Sequence, residues 1–146
     1  MADHVRKQLR DAVVARLVAA GLPARSGRLW PLRPADLPVV LVYVDGERLE
    51  PMHMGGAEAE IMRLASLRIE VIAAGSRKVE DDLDDLSARI ERAVFTPDRT
   101  PGPARGLVLE SVRISMRAEG EAAFGHVVME YEAKICTAMN APDTAL

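Results

Sequence analysis

Apolar side chains recur along residues 3–20 at the spacing of one helix face, with charged side chains between them. The residues of this face are Val5, Leu9, Ala12, Val13, Leu17 and Ala20. Gly21 and Pro23 follow, and both disfavour helix. The pattern therefore predicts an amphipathic helix over residues 3–20.

A different pattern follows, in which prolines at 31, 34 and 38 exclude a helix. Residues 38–44 are apolar at every position, which is typical of a central strand covered on both faces. We predict a short extended piece at Leu29 and Trp30, a turn, and a strand over residues 38–44 that Asp45 and Gly46 end. Residues 47–56 are polar and contain glycine, which predicts a mobile loop or hairpin tip.

Residues 58–74 alternate between apolar and charged positions and form a long predicted strand, with a bulge or bend expected near residues 64–66. The next apolar residues are spaced four, three, four and four positions apart: Val79, Leu83, Leu86, Ile90 and Val94. This spacing predicts a second helix, with Ser76 as its N-terminal cap. Residues 96–106 hold three prolines and predict a loop.

Two further strands are predicted over residues 107–117, with a bulge or a strand start near Ser111, and over residues 124–139. Residues 140–146 are expected to be frayed. The order of elements predicts one α+β domain over residues 1–146: a mainly antiparallel or mixed sheet of about four to five strands with two helices packed on it.

The composition narrows the class of protein. The chain has 146 residues, 19 basic and 22 acidic side chains, a net charge of −3 and one cysteine, which predicts a soluble domain without an intrachain disulfide. Its mild acidity and few aromatic residues argue against nucleic-acid binding. No run approaches the length of a membrane span or the apolar core of a signal peptide.

The residues with chemical potential form no recognisable catalytic set. The acids at 80–85 fall on the solvent side of the second helix, and the histidines lack metal-ligand spacing. Met52, His53 and Met54 offer soft ligands but are more typical of a flexible contact surface. Cys136 is expected to be a plain buried or half-buried thiol. We therefore predict no enzyme, no metal site and no cofactor.

Beyond these patterns, the chain resembles a known family. The strings that carry the likeness are MADHVRKQLRDAVVARLVAAG, RLWPLRPADLPVVLVYVDGE, RLASLRIEVIAAG, VEDDLDDLSARIERAV and LVLESVRISMRAEGEAAFGHVVMEYEAKI. In this order they resemble the tail terminator, or minor tail protein U-like, family of long-tailed bacteriophages and prophages. The resemblance spans Val5 to about Ile135, and its most specific part is the segment from Pro31 to Tyr43.

The resemblance implies a structural virion protein without catalysis. Six copies would form a ring that caps the tail tube, stops its polymerisation and joins it to the head. The implied partners are further copies of the chain, the major tail tube protein and the head-completion or connector protein, while phage DNA passes through the ring without specific binding and no membrane is involved. The implied location is the tail at the head-tail joint, after assembly in the host bacterial cytoplasm.

The contact residues for the tube or the neighbouring subunit are predicted from the loops. They are Arg48, Met52, His53 and Met54 in residues 47–56, and Arg99 and Arg105 in the proline-rich loop. Pro31, Leu37, Pro38 and Tyr43 match the family motif and are expected to serve the fold. Two other interpretations stay open: a small-molecule-binding regulatory α+β module of non-viral origin, and an enzyme that uses the residue 81–85 acids or His53.

Overall fold

A computed structural model describes residues 2–28, 33–52, 59–75, 78–119 and 122–146. Its elements follow in chain order: α1 (Val5–Ala19), β1 (Ala24–Ser26), a 3-10 turn (Pro34–Asp36), β2 (Val39–Pro51), β3 (Glu60–Gly75), α2 (Val79–Val94), β4 (Gly106–Glu119), β5 (Ala122–Ala138) and β6 (Ala141–Ala145). The chain is thus an α+β fold with two helices among the described residues, as predicted.

Within the described ranges, the strands form one sheet in the order β1-β2-β3-β5-β4, and β6 pairs with the end of β5. The β1–β2 pair is parallel and the other pairs are antiparallel. The sheet has six strands rather than the four to five predicted. The two additional strands are short, and neither has the apolar alternation by which a strand is found in sequence.

Both helices pack on one face of the sheet. α2 lies over β3 and β5, while α1 contacts β1, β2, β6 and α2. The predicted stripe of α2 is buried, as are Val5, Leu9, Val13 and Leu17 of α1. The strand residues beneath them belong to the same core: Val40, Val42, Leu67, Ile69, Val71, Val127, Met129, Tyr131, Ala133 and Ile135. The predicted face of α2 is therefore confirmed, and that of α1 is confirmed except at Ala20, which is exposed and follows the end of the helix, while Ala12 is partly buried.

The predicted strand over residues 38–44 is confirmed as buried on both faces between residues 39 and 43, but it does not end at Asp45 and Gly46. The register shifts between Val44 and Gly46, and β2 then continues to Pro51 against β3. A bulge keeps the hydrogen-bond ladder going where the sequence suggested a turn. The first half of the predicted loop at residues 47–56 is therefore strand.

Three other local predictions meet different outcomes. The bulge or bend expected near residues 64–66 corresponds to an irregularity beside Ser66, but the extra residue is in β2: the register shifts between Val44 and Gly46, which pair with Leu67 and Ser66. The bulge near Ser111 is confirmed by the register shift between Leu109 and Ser111. Residues 140–146 are not frayed, because β6 pairs with β5. Leu29, Trp30, Pro31 and Ser76 lie outside the described residues, and Lys78 is the residue before α2.

Candidate assembly surfaces

The predicted contact residue Arg48 lies in β2, on the sheet face opposite the helices. Its side chain is 71% exposed, and its Nη2 atom lies 3.2 Å from Oε1 of Glu50. An ion pair between solvated side chains contributes at most about 1 kcal/mol to stability. The fold therefore does not depend on this pair, and both side chains are accessible to another protein.

Met52 closes the β2–β3 hairpin. Its backbone N–H donates to the carbonyl oxygen of Glu60 at 2.9 Å. The buried thiol of Cys136 lies 3.5 Å from its sulfur, so the predicted buried state of this cysteine is confirmed. Met52 itself remains partly exposed. His53 and Met54, the other predicted contact residues of this hairpin, lie outside the described residues.

An open hollow of about 390 Å³ lies next to Arg48 and Met52. Its lining residues are Arg48, Glu50, Pro51, Met52, Met62, Leu64, Glu132 and Lys134. The volume falls in the range of small-molecule sites, which are usually enclosed and mainly apolar. This hollow is open and lined by charges of both signs, which fits a protein-contact surface better than a ligand pocket.

Arg99 and Arg105 lie in the segment that joins α2 to β4, which has no regular structure beyond a bridge between Thr96 and Arg99, as predicted. The carbonyl oxygen of Arg99 accepts a 2.7 Å hydrogen bond from Nη2 of Arg16 in α1. The guanidinium of Arg105 donates from Nε and Nη2 to the carbonyl oxygen of Leu146, at 2.9 and 2.6 Å. Arg105 thus holds residue 146 as well as facing solvent.

The predicted contact residues do not form one patch. Arg48 and Gly106, which follows Arg105, occupy the same row of the sheet, three strand spacings or about 14 Å apart. Arg99 lies on the helix side, where it is bound to α1. The structure therefore places Arg48 and Arg105 at one end of the molecule and separates Arg99 from them.

Sequence patterns missed a more prominent surface, the outer edge of β4. Across the described ranges, β4 pairs with β5 on one side and with no strand on the other. Every residue from Glu110 to Ala118 is exposed. Three large apolar side chains lie in this stretch: Val112 (44% exposed), Ile114 (53%) and Met116 (45%). Val108, just before it, is 58% exposed. Long apolar edges of this kind pair readily with another strand.

A second strand edge is open on the opposite side of the sheet. β1 covers β2 only from Val40 to Val42. From Val44 to Pro51, no strand in the described part of the chain lies beside the outer edge of β2. Leu49, in this stretch, is 49% exposed. Among the described residues, the sheet therefore has two stretches of unpaired edge, one on β4 and one on β2.

The sheet face opposite the helices is charged at its centre. The hydroxyl of Tyr43 donates to Oε1 of Glu70 at 2.6 Å, and Nη2 of Arg68 lies 3.3 Å from Oδ2 of Asp45. Burial raises the pKa of Tyr43, and the hydrogen bond to Glu70 raises it further. The guanidinium carbon of Arg28 stacks 4.3 Å above the Tyr43 ring. These pairs cross strands and hold the sheet in register.

A buried ionic cluster joins the hairpin to α1 on the helix side. Nη1 of Arg63 lies 2.7 Å from Oε1 of Glu47, and Nε of Arg63 donates to the hydroxyl of Thr137 at 3.0 Å. Arg6 reaches the same Glu47 oxygen at 2.9 Å. His4 accepts a hydrogen bond from the backbone N–H of Arg6, and burial followed by the charges of Arg6 and Arg63 lowers its pKa. This cluster fixes the start of α1 against the sheet.

The acids at 80–85 are exposed on the solvent side of α2, as predicted. The described residues contain no group of three or more His, Cys, Asp or Glu placed to hold a metal ion. None of the described helices has the length and apolar character needed to cross a membrane.

Comparisons with known proteins gave a structural likeness. No protein-family model matches the chain, and no curated protein matches it. Among solved structures, the chain aligns with one from a virion of a native gene transfer agent particle, with a TM-score of 0.44 and 19% sequence identity. The alignment covers 90% of this chain and 92% of that chain.

Proposed function

We propose that the chain is a structural virion protein of the tail terminator type, which forms a ring of copies on the end of a phage tail tube. The resemblance of its sequence to that family, over residues 5–135, motivates the proposal. The observation that carries it in the structure is the pair of open strand edges on β4 and β2, which fits a protein that assembles with others.

Three properties of the described surface agree with assembly. A closed ring requires two different complementary patches on each copy, and the two open edges lie on opposite sides of the sheet. Exposed Arg48 and the charged hollow beside it lie at the hairpin end and supply a polar contact for the tube. A net charge of −3 disfavours adhesion to DNA passing through the ring.

The partners follow from this role. Further copies of the chain would occupy the strand edges, the major tail tube protein would bind one face of the ring, and the head-completion or connector protein would bind the other. The assembled protein would stay in the virion at the head-tail joint. We assign the tube contact to Arg48, Met52, His53 and Met54, with Arg99 and Arg105 as a second contact.

The test is the growth of tail tubes in vitro. Tube protein from the same genome is polymerised with and without the chain, and tube lengths and ends are imaged by electron microscopy. The proposal predicts shorter tubes with extra density at one end. Unchanged tube growth and bare ends at saturating protein would overturn it.

A control variant makes this test specific to the hairpin surface. Arg48→Glu reverses a solvated charge and should leave the fold and the particle mass by light scattering unchanged while weakening the tube cap. Arg92→Glu, on the exposed side of α2, makes the same charge change far from the hairpin and should leave the cap unchanged.

A further inference from the structure

We infer that copies of this chain join by adding residues 112–118 of β4, as an antiparallel strand, to residues 45–51 of β2 in the next copy. The inference rests on the proposed ring assembly and names the two edges that close it. Four observations on the described residues support it: compatible lengths, matching direction, matching faces and matching charge.

The lengths are compatible because both edges offer unpaired backbone. Seven residues of β2 follow Val44 in the strand, and the exposed stretch of β4 from Glu110 to Ala118 is longer. Proline does not block pairing within either stretch, because β4 has none and the proline of β2 lies only at its last residue, Pro51.

The direction is set by the sheet itself. β2, β3, β5 and β4 are successively antiparallel, so β4 runs opposite to β2. If a rotation parallel to the strands relates two copies, β4 of one copy meets β2 of the next in the antiparallel sense. The result is a sheet that continues from copy to copy around the ring through these two segments.

The faces restrict the register. Residues paired across neighbouring strands share a face of the sheet. Ile114 is paired with Val127, a core residue beneath the helices. Leu49 is paired with Arg63, which belongs to the ionic cluster on the helix side. Arg113 and Glu50 lie on the other face. Both apolar side chains are about half exposed in the single chain. Pairing that keeps the faces therefore brings an apolar residue beside an apolar residue.

Charge then favours one register over the two nearest registers that keep the faces. With Leu49 beside Ile114, Glu50 lies beside Arg113, and opposite charges on directly paired residues are favourable. A shift by two residues either way places Arg48 beside Arg113 or beside Arg117, and like charges in this position are unfavourable. The structure thus points to one pairing, Leu49 with Ile114 and Glu50 with Arg113.

The first test uses one substitution at two positions of the same strand. Ile114→Lys places a charge in the proposed contact, while Val108→Lys, with a similarly exposed parent residue, lies outside it. Mass is measured by light scattering over a range of concentrations. The inference predicts a multi-copy particle for the wild type and Val108→Lys, and the mass of one chain, 15.9 kDa, for Ile114→Lys.

The second test exchanges charges between copies and does not depend on any apolar substitution. Glu50→Arg and Arg113→Glu each create a like-charge pair and should each give single chains. A one-to-one mixture of the two variants allows alternating copies with every pair restored, and should recover the multi-copy mass in an even-membered ring. Glu80→Arg and Arg92→Glu serve as charge-matched controls on α2 and should keep the wild-type mass.

The outcomes separate this inference from the proposed function. Wild-type protein that remains a single chain at all concentrations would overturn the edge pairing, as would assembly unaffected by Ile114→Lys or by the single charge reversals. If such protein still caps tail tubes, the proposed function stands and only the edge pairing fails. Assembly that follows the variants while tubes remain uncapped would support the edge pairing and overturn the proposed function.

Discussion

Gly125 of β5 lies directly beneath Leu83 of α2, so closely that a Cβ on Gly125 would come within 2.2 Å of Cδ1 of Leu83. The sulfur of Met116 would lie 3.2 Å from the same Cβ. This glycine therefore sets how near α2 approaches the sheet beside β4. A side chain here would push the helix away from the core that it covers.

Gly125→Ala should lower the free energy of unfolding by about 1–3 kcal/mol, because an extra methyl group in a packed core forces shifts in its neighbours. Urea denaturation followed by circular dichroism measures the change. Gly46→Ala is the matched control, since a Cβ there meets no atom within 4 Å and should change stability little. Equal effects at the two positions would show that the helix-sheet contact is not tight.

Breaking the buried pair between Glu47 and Arg63 should be costly. Removal of Arg63 leaves the buried carboxylate of Glu47 with the half-exposed Arg6 as its remaining ion-pair partner, so Arg63→Met should lower the free energy of unfolding by up to about 3–5 kcal/mol. Arg6→Met removes a half-exposed partner of the same carboxylate and should cost about 1 kcal/mol or less.

The double variant Glu47→Leu with Arg63→Met removes both charges, and with them both the attraction between them and the cost of burying them. Two apolar side chains in place of two buried charges should give a smaller loss than Arg63→Met alone. The same denaturation assay applies. A double variant less stable than the single one would mean that Glu47 contributes mainly through other contacts.

His4 should make stability depend on pH in the mildly acidic range. Its pKa is lowered in the folded protein by burial and by Arg6 and Arg63, so protonation favours the unfolded chain. The contribution of His4 to stability is full at pH values above the ordinary histidine pKa of about 6.5. It is lost as the pH falls through the lower pKa that His4 has in the folded protein.

His4→Asn keeps a side chain that can cap α1 but does not titrate. The difference in stability between this variant and the wild type should therefore change with pH below about 6.5. Thermal unfolding from pH 5 to pH 8 measures it. A constant difference across this range would contradict the environment described for His4.

The two tyrosines of the chain should resist ionisation. Burial raises the pKa of both, with further increases from Glu70 at Tyr43 and from Glu91 at Tyr131. The stability gained from these tyrosines is present at pH values below the tyrosine pKa of about 10 in the unfolded chain. It is lost as the pH rises above that value towards the higher pKa of the folded protein. Absorbance at 295 nm should show little tyrosinate at pH 10 while the protein remains folded, and half-ionisation there in folded protein would contradict this.

The sequence predicted the elements whose pattern comes from burial. The stripes of α1 and α2 and the doubly buried start of β2 were recognisable because packing requires apolar residues at fixed spacing. The extension of β2 to Pro51 was missed because its last residues are exposed and carry no alternation. β6 was missed for a similar reason, since it is held by its pairing with β5 rather than by a buried face.

The most prominent surface could not be found from sequence patterns. Val112, Ile114 and Met116 alternate with polar residues as a core-facing strand does, so the pattern predicts burial. Only the strand order shows that β4 is an outermost strand, with no described strand beside its outer edge. Of the predicted contact residues, Arg48 and Met52 are confirmed as exposed or partly exposed, and their role in contacts stays a prediction.

The central claim is that this chain closes into a ring, and negative-stain imaging of the largest purified species tests it most directly. The account predicts six-fold particles with a central opening, with the mass of six chains by light scattering. Closed two-copy particles without an opening would contradict it, because two copies joined by one self-complementary patch leave no open edge to continue a ring.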